Sequence, residues 1–295
     1  ASCTKFSLGT TATDAEDGDH YIEISKEAKI IDKIEYCVKP NTNFVIKGIL
    51  MDKSTGEPLL INGETVESSV NLRSEEDCGE IEMEFTFDAS ELGGKEVVVF
   101  ETLWYKDDVI TRHNDINDLG QTIELISLKT YATNAKTGEK LLPLDEDVEI
   151  KDLVKYCLKP GVEYTVKGIL MNKKTGNGLL VNSEPVEAST TFTPIEACGE
   201  TTMTFKFNTA NLGGADLVIF ESLYYENELI LEHKDINNED ETVSVIPPAP
   251  ETGLFTRLTS EGAGGGQILY VAIGIVLVGI GGYGTYRYIA RKKTS

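Results

Sequence analysis

Histidine and basic side chains are scarce in this 295-residue sequence. It holds three His, and 27 Lys and Arg stand against 49 Asp and Glu, for a net charge of −22. So acidic a chain cannot neutralise phosphates, which excludes nucleic acid as a partner. The excess reads instead as a solvated surface. Cysteine is sparse too, with five residues at positions 3, 37, 78, 157 and 198, none in a Cys-x-x-Cys pair or beside a His cluster. No metal site is expected from that pattern, and no cofactor. Long amphipathic helical patterns are missing, and a single long uncharged run occurs near the C-terminus. A hydrophobic content of 40% excludes a mostly disordered chain.

What is present is a repeat. Tyr36-Cys37-Val38-Lys39-Pro40 matches Tyr156-Cys157-Leu158-Lys159-Pro160, Lys47–Met51 matches Lys167–Met171, and Leu92-Gly-Gly94 matches Leu212-Gly-Gly214. The offset of 120 residues holds without a gap, so each unit is a whole domain rather than a solenoid repeat. Cys37 and Cys78 recur as Cys157 and Cys198 at the same offset, leaving Cys3 over. Disulfides Cys37–Cys78 and Cys157–Cys198 in an oxidising compartment are the expectation, with buried free thiols as the alternative. Each bridge would stabilise its domain by roughly 4 kcal/mol on the chain-entropy model. The chain begins Ala-Ser-Cys with no signal-peptide pattern. Ala1–Phe6 falls where a preceding unit would end, so upstream repeats are possible.

Short alternating runs broken by turns, such as Phe44–Met51, Ile81–Phe87, Val97–Tyr105 and Thr122–Leu128, predict strands. The expected fold is all-β: two tandem immunoglobulin-like β-sandwich domains over residues 1–126 and 127–246. Val97–Tyr105 is apolar on both alternating faces and predicts a strand covered on both sides. Glu101 lies in its middle, in the row of Val99 and Leu103, and Glu221 repeats it in Leu217–Tyr225. An ionised carboxylate there costs several kcal/mol unless it is protonated or paired, for instance with a Lys across the sheet.

Residues 247–267 hold Pro247-Pro-Ala-Pro-Glu-Thr-Gly253 and a Gly-rich spacer, and Ile268–Tyr286 carries no charge. As a helix that run reaches about 28 Å, enough to cross a bilayer core. Arg287, Arg291, Lys292 and Lys293 then make 287–295 a cytoplasmic tail. Pro-x-Thr-Gly, apolar span and basic tail together resemble the cell-wall sorting signal of Gram-positive-type surface proteins. That resemblance implies that a sortase cleaves between Thr252 and Gly253 and joins Thr252 to peptidoglycan, the helix holding the chain in the membrane beforehand. Ala249 stands where the family pattern has Leu.

The two units resemble the VaFE-repeat domains of Gram-positive surface proteins, through Val98-Val-Phe-Glu101 and Val218-Ile-Phe-Glu221. The resemblance implies an intramolecular Thr–Gln ester between the first and last strands. Its residues map to Thr10 and Gln121 for the bond, with Glu101, His113, Asp32 and Asp118 as catalytic groups. Thr11 and Thr13 are alternative nucleophiles; Thr10 is preferred because Thr130 matches it, whereas Tyr131 replaces Thr11. His113 is the expected base, oriented by Asp32 and Asp118, and Glu101 the acid for departing ammonia. In the second unit Thr130, Asp152, Glu221 and His233 match, but Glu241 replaces Gln121 and Asn238 replaces Asp118. An ionised carboxylate is a poor electrophile, so no ester is expected there. The bond would form once, which makes the first domain a self-modifier rather than an enzyme. The expectation is a cell-surface, wall-anchored stalk or adhesin component; the alternative is a module that itself contacts a host or neighbouring-cell ligand.

Overall fold

Strand alternation decides which side chains face inward. In the computed structural model, which describes residues 5–249, β1 (Ser7–Asp14), β2 (Tyr21–Glu23) and β3 (Ala28–Cys37) open the first domain. β4 (Phe44–Asp52), β5 (Glu67–Leu72), β6 (Cys78–Phe87), β7 (Glu96–Tyr105), β8 (Asp108–His113) and β9 (Thr122–Asn134) follow. β3 buries Ala28, Ile30, Asp32, Ile34 and Tyr36 while Lys29, Lys33 and Glu35 stay outside. The period of two therefore carries one carboxyl inward among aliphatics. Outside, Lys29–Glu84 at 3.5 Å and Lys33–Glu80 at 3.0 Å are half-exposed pairs worth little each.

β1, β3 and β6 form one sheet. The other runs β9-β7-β4-β5, with β8 also paired to β7 and β2 parallel to β9. Ile30, Ile34, Ile46, Leu50, Phe85, Val99, Leu103 and Leu125 fill the space between. The second domain repeats this with β10 (Leu141–Leu142), β11 (Val148–Cys157), β12 (Tyr164–Asn172), β13 (Glu187–Phe192) and β14 (Cys198–Phe207). β15 (Asp216–Tyr225), β16 (Glu228–His233) and β17 (Thr242–Val245) complete it around its own apolar cluster. The architecture is all-β, with sheets that do not close into barrels.

Two expectations need correction. β7 is covered on both sides only at its start: Val97, Val99, Glu101 and Leu103 on one face and Val98 on the other are fully buried, but Phe100, Thr102 and Trp104 on that other face are only half-buried. Lys47, 4.4 Å above the Trp104 ring, is among what shields that face. The run Thr122–Leu128 extends further than expected, passing well beyond the boundary placed at 126/127. It continues as one strand to Asn134, pairing with β7 at Thr122–Glu124 and with β11 from Ser127 onward. Leu125 packs in the first core and Ile126 in the second. Gly94, at φ +82°, rests against the second domain, and a Cβ there would lie 2.7 Å from the Ala197 Cβ. Lys159 reaches back to Glu96 at 3.0 Å.

Cys3, Thr252, Gly253, the 268–286 span and the basic tail lie outside the described residues. No helix among the described residues is long and apolar enough to cross a membrane.

Gly48 pairs with Glu101, and a Cβ on it would sit 2.6 Å from the Phe85 ring and closer still to Met83. Gly48→Ala is expected to push the sheets apart and cost about 1–3 kcal/mol. A lowered urea midpoint measures this; an unchanged midpoint would mean the sheets yield there freely.

Candidate functional site

One edge of β7 is shared by two strands. β8 covers Glu101–Tyr105, β9 covers Glu96–Val98, and the chain between them must re-enter the edge beside Val99. It does so through a single 3-10 turn, Leu119–Gln121, whose cap is Asp118: its Oδ1 accepts the Gly120 N–H at 2.8 Å. The Thr122 hydroxyl donates to the Asp118 carbonyl at 2.7 Å. This handover drops Gln121, fully buried, next to Glu101.

Glu101 then bridges the two ends of the domain. Its Oε2 accepts from the Thr10 hydroxyl on β1 at 3.3 Å, and its Oε1 accepts from the Gln121 amide. Thr10 points inward with Ala12; Thr11 is exposed, and the Thr13 hydroxyl donates to the Ile31 carbonyl at 3.5 Å. Of the three threonines, Thr10 is the one that meets the acid. Asp32, opposite Ala12 and Met83, is fully buried and faces Glu101 and Gln121. Neither of its oxygens accepts a hydrogen bond, and the Gln121 carbonyl oxygen is also unpartnered.

Burial, followed by the neighbouring Asp32, holds Glu101 well above the usual carboxylate range. Burial likewise raises Asp32. Two acids this close in a dry core cannot both ionise, so at least one carries a proton and can donate it. His113 is the strand partner of Glu101, and its Nε2 lies 2.7 Å from Asp118 Oδ2. Asp118 is thus the carboxylate in direct contact with His113. Asp32 lies in the core beside Glu101, close enough to His113 to feel its charge.

The second domain rebuilds the frame without the amide. Glu221 pairs with Gly168 and His233, and Asp152 pairs with Ala132 and Met203. Asp152, Glu221 and Glu241 are all fully buried, with carboxylate oxygens within 4.8 Å of one another. The Thr130 hydroxyl faces Glu221 and Glu241. His233 is the strand partner of Glu221 but is held from the other domain. Its Nε2 bonds Glu23 of the first domain at 2.9 Å, while Asn238 caps its own turn through Asp240 N–H.

Sequence reasoning passed over Lys140. Its Nζ donates to the Ala132 carbonyl at 2.6 Å and to the Asp240 carbonyl, clamping β9 to the segment that carries Glu241. The signal was available: Lys140 stands where the first unit has His20, just as Glu241 stands where it has Gln121. Both cysteine pairs are disulfide-bonded, Cys37–Cys78 and Cys157–Cys198, each closing the end of a strand pair in the first sheet of its domain.

A hydroxyl on the first strand and an amide before the last, met by one buried acid, bring the two ends of the β-sandwich to one point. The chain belongs to the family of T-Q ester bond containing domains, whose model matches residues 6–125 and 126–245. No curated protein matches the chain. Among solved structures it is similar to a Mobiluncus mulieris adhesin containing intramolecular disulfide, isopeptide and ester bond cross-links. That match has a TM-score of 0.36 and 16% identity, over 74% of this chain and 80% of that one. The C-terminal domain of the Streptococcus agalactiae AgI/II polypeptide BspA matches at TM-score 0.29 and 8% identity, over 81% and 100%. Red sea bream transglutaminase matches at 0.27 and 11%, over 81% and 31%.

Burial, then Glu241, raises the Glu221 carboxyl far above its unfolded value. The folded state therefore binds the extra proton. The stability this contributes is complete below about pH 4.3 and is lost as pH rises toward the folded value. Glu221→Gln is expected to remove up to about 1.4 kcal/mol per pH unit of that slope above pH ~5. Thermal midpoints across pH measure it, and an undiminished slope would show that Glu221 ionises freely.

Proposed function

We propose that the first domain joins Thr10 to Gln121 by an ester and serves as a mechanically locked segment of a surface stalk. The Thr10 oxygen attacks the Gln121 side-chain carbonyl carbon, the C–N bond breaks, and ammonia leaves. His113, on a strand packed against β1 and oriented by Asp118, takes the hydroxyl proton. Neutral Glu101 protonates the departing nitrogen. Burial, with Asp32 beside it, keeps Glu101 neutral. Contact between the reacting groups supplies an effective molarity of ~10⁵–10⁸ M, about 7–11 kcal/mol of the barrier. The observation that carries this reading is the Glu101 carboxyl, bonded at once to Thr10 and Gln121. The reaction occurs once and leaves no site for turnover, so the domain is not an enzyme.

Membership in a cross-linking family and the 247–295 pattern together support the wider role. The chain is displayed on the cell surface, cut by a sortase between Thr252 and Gly253, and joined to peptidoglycan, with its domains as a stalk or adhesin component. Gly253→Pro is expected to shift the chain from the wall fraction to the membrane fraction, read by release with a wall hydrolase. Equal wall release would set sorting at this bond aside.

Intact mass tests the chemistry. Thr130→Val chain, its second site disabled, is expected to lack one ammonia beyond its disulfide hydrogens; adding Thr10→Ala or Gln121→Ala restores the full mass. Full mass in Thr130→Val alone overturns the ester.

A further inference from the structure

The second site was expected to be inert because an ionised carboxylate is a poor electrophile. Its surroundings do not let Glu241 be one. Asp152, Glu221 and Glu241 have no exposed surface, and none of their six oxygens accepts a hydrogen bond. Three carboxylates in that position would cost many kcal/mol, whereas neutral acids can donate to one another. Lys140, the cation beside them, spends its Nζ on the Ala132 and Asp240 carbonyls and forms no ion pair with the three acids. A neutral carboxylic acid is a better electrophile than an amide.

The nucleophile is also held in place. Thr130 shares the inward row of β9 with Ala132, which pairs with Asp152. The Ala132 N–H donates to the Asp240 carbonyl at 2.9 Å, and Lys140 grips the same two carbonyl-bearing segments. The residue before Glu241 is thereby fixed to the strand that carries Thr130.

We propose that Thr130 and Glu241 condense to an ester with loss of water, so that the second domain is also closed on itself. The inference takes its frame from the reading of the first domain but uses a different leaving group. The Thr130 oxygen bonds to Glu241 Cδ, and the Cδ–OH bond breaks. Asp152 accepts the hydroxyl proton, Glu221 gives a proton to the departing hydroxyl, and water leaves; proton exchange between Asp152 and Glu221 restores both. Burial raises Asp152 to about 8, close to working pH as a base requires, and keeps Glu221 protonated as the acid. Thr130 and Glu241 are also what hydrolysis of a Thr–Gln ester would leave. Condensation is the reverse of that hydrolysis, drawn forward by an effective molarity of ~10⁵–10⁸ M in a core that excludes water.

The test is intact mass and tryptic mapping of the full chain. A Gln121→Ala chain, with the first site disabled, is expected to lack one water, and Thr130→Val added to it restores the full mass. The peptide beginning at Thr130 is expected to be joined to the one carrying Glu241. Esters made from Glu241 or from a glutamine are the same product, so wild type and Glu241→Gln are expected to have identical masses. That comparison stands even if Thr130→Val fails to fold. Full mass in Gln121→Ala, a wild type one water heavier than Glu241→Gln, or a divalent cation retained in native spectra in place of the deficit overturns the proposal. Failure of the first-domain ester is read separately, as full mass in Thr130→Val.

Discussion

Each domain is organised around a carboxyl that its surroundings forbid to ionise. Glu101 and Glu221 sit at the middle of the most buried strand, opposite a glycine that lets Met83 and Phe85, or Met203 and Phe205, close over them. A second acid, Asp32 or Asp152, enters from the facing sheet on strand alternation alone. Water is thus excluded by packing that also sets the acids' protonation. An acid that holds its proton near neutral pH is the group that splitting an amide or condensing an acid requires. The same packing brings a hydroxyl from the first strand and an acyl group from the last to that proton. Fold and chemistry are one arrangement.

Much of this was legible in the chain. Glu101 announced itself as a charge in an apolar row, the 120-residue offset paired the cysteines, and the choice of Thr10 over Thr11 followed from comparing the two units. What was not legible depends on contacts between distant segments. The uninterrupted run of β9 through the boundary cannot be told from two abutting strands by alternation. His233 matches His113 in sequence, yet its partner Glu23 lies 210 residues away in the other domain. Substituting Asn238 for Asp118 removes the local holder, and the imidazole takes the carboxylate the neighbouring domain offers. Lys140 was passed over for a similar reason, since its role depends on two backbone carbonyls brought together only by the fold.

The shared strand governs how a pulling force would travel. Tension entering at β1 reaches Thr10 before it reaches the core. On the proposed reading it crosses the ester to Gln121 and passes into β9, so everything from residue 11 to 120 is outside the load path. Cys37–Cys78 lies inside that bypassed loop. Its contribution there is to restrict the unfolded chain, not to bear load. On that reading the two covalent devices in the first domain would answer different threats: the ester would resist extension, and the disulfide resists loss of structure.

That division sets what the second domain needs. β9 delivers the load to it without a flexible linker to absorb any part. If Cys157–Cys198 were its one staple, the disulfide would shield the chain between those residues and leave 130–156 and 199–241 free to peel from the sheets. A stalk is as inextensible as its weakest domain, so locking the first alone would gain little. Closing Thr130 to Glu241 would carry the load from the middle of β9 to the strand before the exit at Val245, as Thr10 to Gln121 does one domain earlier. The replacement of Gln by Glu would then change the leaving group from ammonia to water and leave the load path the same.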